Sequence, residues 1–238
     1  MASTSETGHA KNTAHFQTLI TVCTGYGPSY NPARAGLQLP ALAALHTGAQ
    51  DSITAVNAAK ANLTNVINIR QTLFDPLKKR CTRVVNALAA AGASQKLVED
   101  ARTINRKMQG ARSGKINPDK EKTISVSQQS YDSLTANFAA LIELLSTQSA
   151  YTPNETELQI PTLQANLESL ITANNHVTQA YASYVSALIA RNNTLYTPGS
   201  GIVDTALAIK KYIKSVFGTT SPEYKQISNI RFTKPRTQ

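Results

Sequence analysis

Apolar residues recur along this chain at steps of three and four, the spacing that puts them on one face of an α-helix. The longest such run places Leu42, Ala49, Val56 and Leu63 on one row and Leu45, Ala59, Val66 and Leu73 on the next. A second run reads Leu163, Leu170, Val177 and Tyr184, with Ala173, Ala180 and Ala187 beside it. Both predict a long helix, about 34 residues and roughly 50 Å at about 1.5 Å per residue. Pro40 and Pro161 suit the first helical turn, where a missing N–H costs nothing, and the runs close near Phe74 and Tyr196. Such heptad-like seams favour near-parallel helix packing, and their alanines let backbones approach closely.

Shorter elements flank each long one. From Asn12, a candidate N-cap, Phe16, Leu19, Ile20 and Cys23 share a face; within 131–147, Phe138, Leu141, Ile142 and Leu145 repeat that spacing. After the long helices, Asp75-Pro76 and Thr197-Pro198 read as N-cap followed by proline. The helices they open should end at Gly92 and Gly218, and Ser94 and Ser221 should open one more each.

The two halves correspond. Tyr30-Asn-Pro32 and Leu37-Gln-Leu-Pro40 return as Tyr151-Thr-Pro153 and Leu158-Gln-Ile-Pro161 at an offset of 121 residues, and Arg70 maps onto Arg191 at the same offset. The expected fold is therefore all-α, an elongated helical bundle of two pseudo-symmetric repeats. Each repeat has a short helix, a long helix and two shorter ones. The predicted organisation is a flexible N-terminus over 1–11, repeat one over 12–109, a Gly/Lys/Ser/Pro-rich connector over 110–130, repeat two over 131–231 packed with the first as one domain, and a basic tail over 232–238.

Charge is laid out unevenly. The formal net charge is +10, yet residues 76–122 hold 12 Lys/Arg against 4 Asp/Glu, and residues 207–238 hold 7 against 1. The remainder is net acidic. At helical spacing, Lys78, Lys79, Arg80 and Arg83 cluster, as do Arg102, Arg106 and Lys107, and Lys210, Lys211 and Lys214. These ten are the candidate binding residues, for nucleic acid, an anionic surface or an acidic protein. The plainer reading is a solvated face that keeps the chain soluble. By contrast the long segments are poor in charge: 41–74 contains only Asp51, Lys60 and Arg70, and 162–196 only Glu168 and Arg191. Asn, Thr, Gln and Ser occupy their outer faces, so other helices of the chain or another copy of it should cover them.

Catalytic patterns are missing from the sequence. His9, His15, His46 and His176 are scattered, with no metal-ligand spacing, and His46 and His176 read as surface or groove residues. Neither a Walker-type loop nor a Gly-x-Ser-x-Gly elbow occurs. Pro198-Gly-Ser-Gly201 could form an anion nest, but a plain connector is the better expectation. Arg70 and Arg191 stand where an apolar residue is due. The favoured reading is a cation snorkelling near a helix C-terminus, the alternative a buried ion pair or anion site. Catalytic residues, cofactor and metal are each expected to be none.

The chain resembles a family of internally duplicated all-helical bacterial proteins with no established activity. Thr103-Ile-Asn-Arg-Lys107, Tyr151-Thr-Pro-Asn-Glu-Thr-Glu-Leu158, Lys214-Ser-Val-Phe-Gly218, Tyr224-Lys-Gln-Ile227 and Phe232-Thr-Lys-Pro235 carry that resemblance, which covers most of the chain and implies no site. The leading functional expectation is a non-enzymatic structural or interaction protein acting through self-association or protein binding. Polyanion binding through the basic helices comes second and a membrane-active, toxin-like protein third. No run is long enough to cross a bilayer, and Met1 to His9 lacks the form of a secretory signal. A cytoplasmic location is expected, with export by a signal-independent route left open. Cys23 and Cys81 are expected to be reduced, packed thiols.

Overall fold

A computed structural model describes residues 4–110 and 129–234. Among these the chain is all-helical: α1 Thr4–Gly25, α2 Leu39–Phe74, α3 Leu77–Ala90, α4 Gln95–Gln109, α5 Tyr131–Ser146, α6 Ile160–Tyr196, α7 Ile202–Phe217 and α8 Pro222–Ser228. The expected connector lies almost wholly outside the described residues, as do the last four residues of the tail.

The helices form two compact units, Met1–Asn62 with Ala182–Gln238, and Leu63–Tyr181. Each draws helices from both halves of the sequence. In the first unit, Phe16, Leu19, Ile20 and Cys23 of α1 pack with Leu42 and Ala49 of α2, Leu195 of α6 and one face of α7 (Ile202, Ala206, Ile209, Ile213). In the second, Phe138, Leu141, Ile142 and Leu145 of α5 pack with Leu163 and Leu170 of α6, Phe74 of α2 and a face of α3 (Leu77, Cys81, Val84, Leu88). Of the stripes expected on α2 and α6, Leu42, Ala49, Val56, Leu163, Leu170, Ala173 and Ala180 are buried, whereas Leu73 is exposed.

The approaches to α2 and α6 take the same course. A single 3-10 turn, Ala35–Leu37 in one and Thr156–Leu158 in the other, leads into each helix. Gln38 follows at φ −72°, ψ 146° and Gln159 at φ −68°, ψ 143°. The Tyr30 hydroxyl donates to Leu37 O at 2.7 Å, and the Tyr151 hydroxyl donates to Leu158 O at 2.8 Å; both bonds are buried. Each tyrosine thus staples the loop back on itself. Tyr30→Phe and Tyr151→Phe each leave a buried carbonyl without this donor, so each is expected to lower stability by about 1–3 kcal/mol in denaturant titration.

Several local expectations are corrected. Helix α1 begins at Thr4, well ahead of Asn12, so Asn12 is no cap. Its amide instead holds the C-terminal segment, with Nδ2 donating to Thr233 O at 2.7 Å and Oδ1 accepting from Thr233 N at 3.1 Å. The polar stretch is helical because it has buried partners: the His9 ring sits 2.6 Å from the Tyr196 hydroxyl, and Thr13 is buried beside it. Asp75 does not cap α3, whose N-cap is Pro76, and Thr197-Pro198 precedes a turn rather than a helix. Three residues, Gly199, Ser200 and Gly201, separate Pro198 from the start of α7 at Ile202, with Gly201 as its N-cap. Ser94 and Ser221 do cap α4 and α8, accepting from Leu97 N and Tyr224 N.

Candidate functional site

The ten basic residues divide between the units. Lys78, Lys79, Arg80 and Arg83 lie on α3 and Arg102, Arg106 and Lys107 on α4, in the second unit; Lys210, Lys211 and Lys214 lie on α7, in the first. Packing of α3 on α4 brings their inner faces together through Val84, Leu88, Val98, Ala101 and Met108, which leaves the cations at the margins. Several are occupied within the chain. The Arg83 guanidinium pairs with the Glu157 carboxylate at 2.5 Å, and this neighbour holds Glu157 below its ordinary pKa. Both groups are largely solvated, so the pair contributes little stability. Lys78 Nζ donates to Gln129 Oε1 at 2.6 Å. Arg106 Nη2 donates to Thr103 Oγ1 at 2.8 Å.

Lys210 is half-buried. Its ammonium donates to Ser228 O at 3.1 Å and Ile230 O at 2.5 Å, beyond the end of α8, and burial lowers its pKa. It anchors the chain after α8 more than it faces a ligand. Lys79, Arg102, Lys107, Lys211 and Lys214 remain as exposed residues. A shallow depression on α4 is lined by Glu99, Asp100, Arg102, Thr103, Asn105 and Arg106, so its carboxylates oppose its cations for any anion.

The two helix-end arginines behave differently from a snorkelling pair. Arg191 is only 4% exposed, with Nη2 donating to Asn192 Oδ1 at 3.0 Å. Arg70 lays its guanidinium over the Tyr131 ring, 4.0 Å from the centroid, in a cation–π contact. An aromatic face explains how a cation is tolerated there without a carboxylate. The loop Pro198–Gly201 is internally engaged: Gly199 N donates to Asp204 Oδ2 at 3.0 Å and Gly199 O accepts from Arg34 Nη2 at 2.8 Å. Asp204 also pairs with Lys234 at 2.6 Å, so a carboxylate occupies the place an anion would take.

Of the two histidines expected at the surface or in a groove, His46 is only 8% exposed, whereas His176 is exposed. Burial lowers the pKa of His46 from 6.5. The unfolded chain therefore binds more protons near that pH, and stability falls as pH drops below about 6.5. His46→Gln is expected to flatten this acid limb of the thermal midpoint against pH. An unchanged slope would assign it to other groups. Cys23 and Cys81 are free and buried, and desolvation raises both thiols to about 12. Both stay protonated and unreactive at neutral pH.

Among the described residues, no three His, Cys, Asp or Glu side chains converge to hold a metal ion. Comparisons with models of known protein families, with curated proteins and with solved structures find no match for this chain. The candidate site must therefore be judged on its surfaces.

Some outward residues of α6 are large and apolar. Ile171, Tyr181 and Ile189 of α6 are 44%, 60% and 56% exposed. Residues 169–190 contain no Asp, Glu, Lys or Arg.

Proposed function

We propose that this chain is a non-enzymatic helical-bundle protein that works by associating with copies of itself. The observation that supports this reading is the uncharged run 169–190 of α6, with Ile171 and Tyr181 exposed on it, because exposed helices ordinarily carry Lys and Glu. The fold reads as two copies of one helical unit. Support comes from the matched turns before α2 and α6, the matched tyrosine staples and the offset of 121 residues. Sedimentation velocity over a wide concentration range tests the functional reading. Self-association predicts a mass that rises with concentration, and a constant monomer mass rejects it.

A second reading, binding of a polyanion, rests on the exposed Lys79, Arg102 and Lys107 of the second unit. It predicts retention on heparin that weakens steeply with salt. Retention unchanged after neutralising these three would remove it. Among the described residues no helix is long and apolar enough to cross a membrane.

A further inference from the structure

We infer that the groove between α1 and α7 is a docking site for an extended peptide segment, and that copies of this chain associate by exchanging residues 229–234 into one another's grooves. This rests on the self-association reading and deepens it by naming the contact. Every residue concerned lies in the first unit. After α8, which ends on Asn229 as its C-cap, the chain runs from Ile230 to Lys234 without helix. Three side chains hold this stretch by its main chain. Lys210 of α7 donates to Ser228 O at 3.1 Å and to Ile230 O at 2.5 Å. His15 Nδ1 of α1 donates to Arg231 O at 2.7 Å. Asn12, also of α1, donates to Thr233 O at 2.7 Å and accepts from Thr233 N at 3.1 Å. Contacts of this kind recognise an extended backbone, and the seats for single side chains add selectivity. Phe232 is the anchor: its ring meets the His15 ring edge-on, with centroids 6.1 Å apart, and packs against the core of the unit. Lys234 adds an ion pair with Asp204 at 2.6 Å.

The segment is lightly held, and the groove requires an occupant. Ile230 and Phe232 are half-buried and the other residues of 229–234 are exposed, whereas Ile227 just before them is fully buried. The segment can therefore lift while α8 stays in place. Asn12 beneath it is only 2% exposed, and with the segment gone its amide loses both bonds to Thr233. An empty groove thus leaves buried polar atoms short of partners, which is costly. A replacement must offer the same main-chain groups, a phenyl ring and a cation.

The same segment of a second copy supplies all three with identical contacts. Charge agrees with that occupant. In a chain of net +10, the groove sets the Asp204 carboxylate where Lys234 arrives. One-for-one exchange fills both grooves and gives a closed two-fold pair rather than an open string of copies. The segment spans about 20 Å when fully extended, so the two grooves must lie close together across the axis.

The test uses full-length chains and native mass spectrometry. Asp204→Lys sets two cations together at the end of the groove, and Lys234→Asp sets two anions there. In either variant alone, a segment in its own groove or in that of a like copy meets its own charge. Only exchange between the two variants brings opposite charges together in both grooves. Equimolar mixing is expected to enrich the mixed dimer about tenfold over a random distribution. Dimers in random proportion overturn the inference and leave the self-association reading intact. A wild type that stays monomeric at every concentration overturns both. A second arm needs no variant. A synthetic peptide of residues 229–234 in large excess should fill the grooves and turn wild-type dimers into single chains, and a scrambled peptide should not. Wild-type dimers that survive the peptide overturn the inference, whether or not the charge variants fold.

Discussion

Phe138→Ala is expected to destabilise the protein by about 3–5 kcal/mol, and Phe16→Ala by a similar amount. Both rings are fully buried and rank among the largest side chains to be so. Phe138 belongs to a core drawn from α3, α4, α5 and the first turns of α6, and Phe16 to one drawn from α1, α7 and the first turns of α2. Truncation removes the transfer free energy of the ring and leaves a cavity that helices can close only partly. The two cores share no residue. Chemical denaturation gives the free energies, and hydrogen exchange locates the loss. Protection should fall in α5 and α4 for Phe138→Ala and in α1 and α7 for Phe16→Ala. A loss below 1 kcal/mol on the same scale would mean that the ring is not packed as described.

Gly201→Ala is the second large effect. The backbone at Gly201 is ordinary, φ −69° and ψ 162°, so conformational freedom is not why glycine stands there. Room is the reason. A Cβ would lie 2.7 Å from Thr197 N, 2.8 Å from Tyr196 N and 2.9 Å from Leu195 C, all backbone atoms that cannot swing aside. Gly201 N also donates to Thr197 O at 2.8 Å, closing the turn that seats α7. Forcing in a methyl group should cost about 1–3 kcal/mol, read as a lowered denaturation midpoint at an unchanged slope. Gly199→Ala provides the contrast. Its φ of +77° is left-handed but nothing lies within 4 Å of the added carbon, so its cost of about 1–2 kcal/mol is purely conformational.

The long helices were legible because three signals agreed on them. The apolar period, the prolines near Pro40 and Pro161, and the repeated phrases all bound α2 and α6 within a few residues. The core residues Phe16, Leu42, Phe138 and Leu163 followed from the same spacing. Errors arose where a polar residue was judged by its neighbours in sequence. Asn12 looked like a cap, but its partner Thr233 lies 221 residues away. His46 and Arg191 looked peripheral, because nothing local announces burial of a polar side chain. The start of α7 was misplaced because three residues, Gly199, Ser200 and Gly201, stand between Pro198 and Ile202, whereas Pro76 directly precedes Leu77. Of the candidate site, the clusters were visible as charge, but their engagement with Glu157, Gln129 and Ser228 was not.

Self-association is the claim on which the functional account stands, and the mass of the intact chain in solution tests it most directly. Sedimentation velocity from low to high micromolar concentration should show a mass moving from one chain toward two. One chain at every concentration would contradict the account.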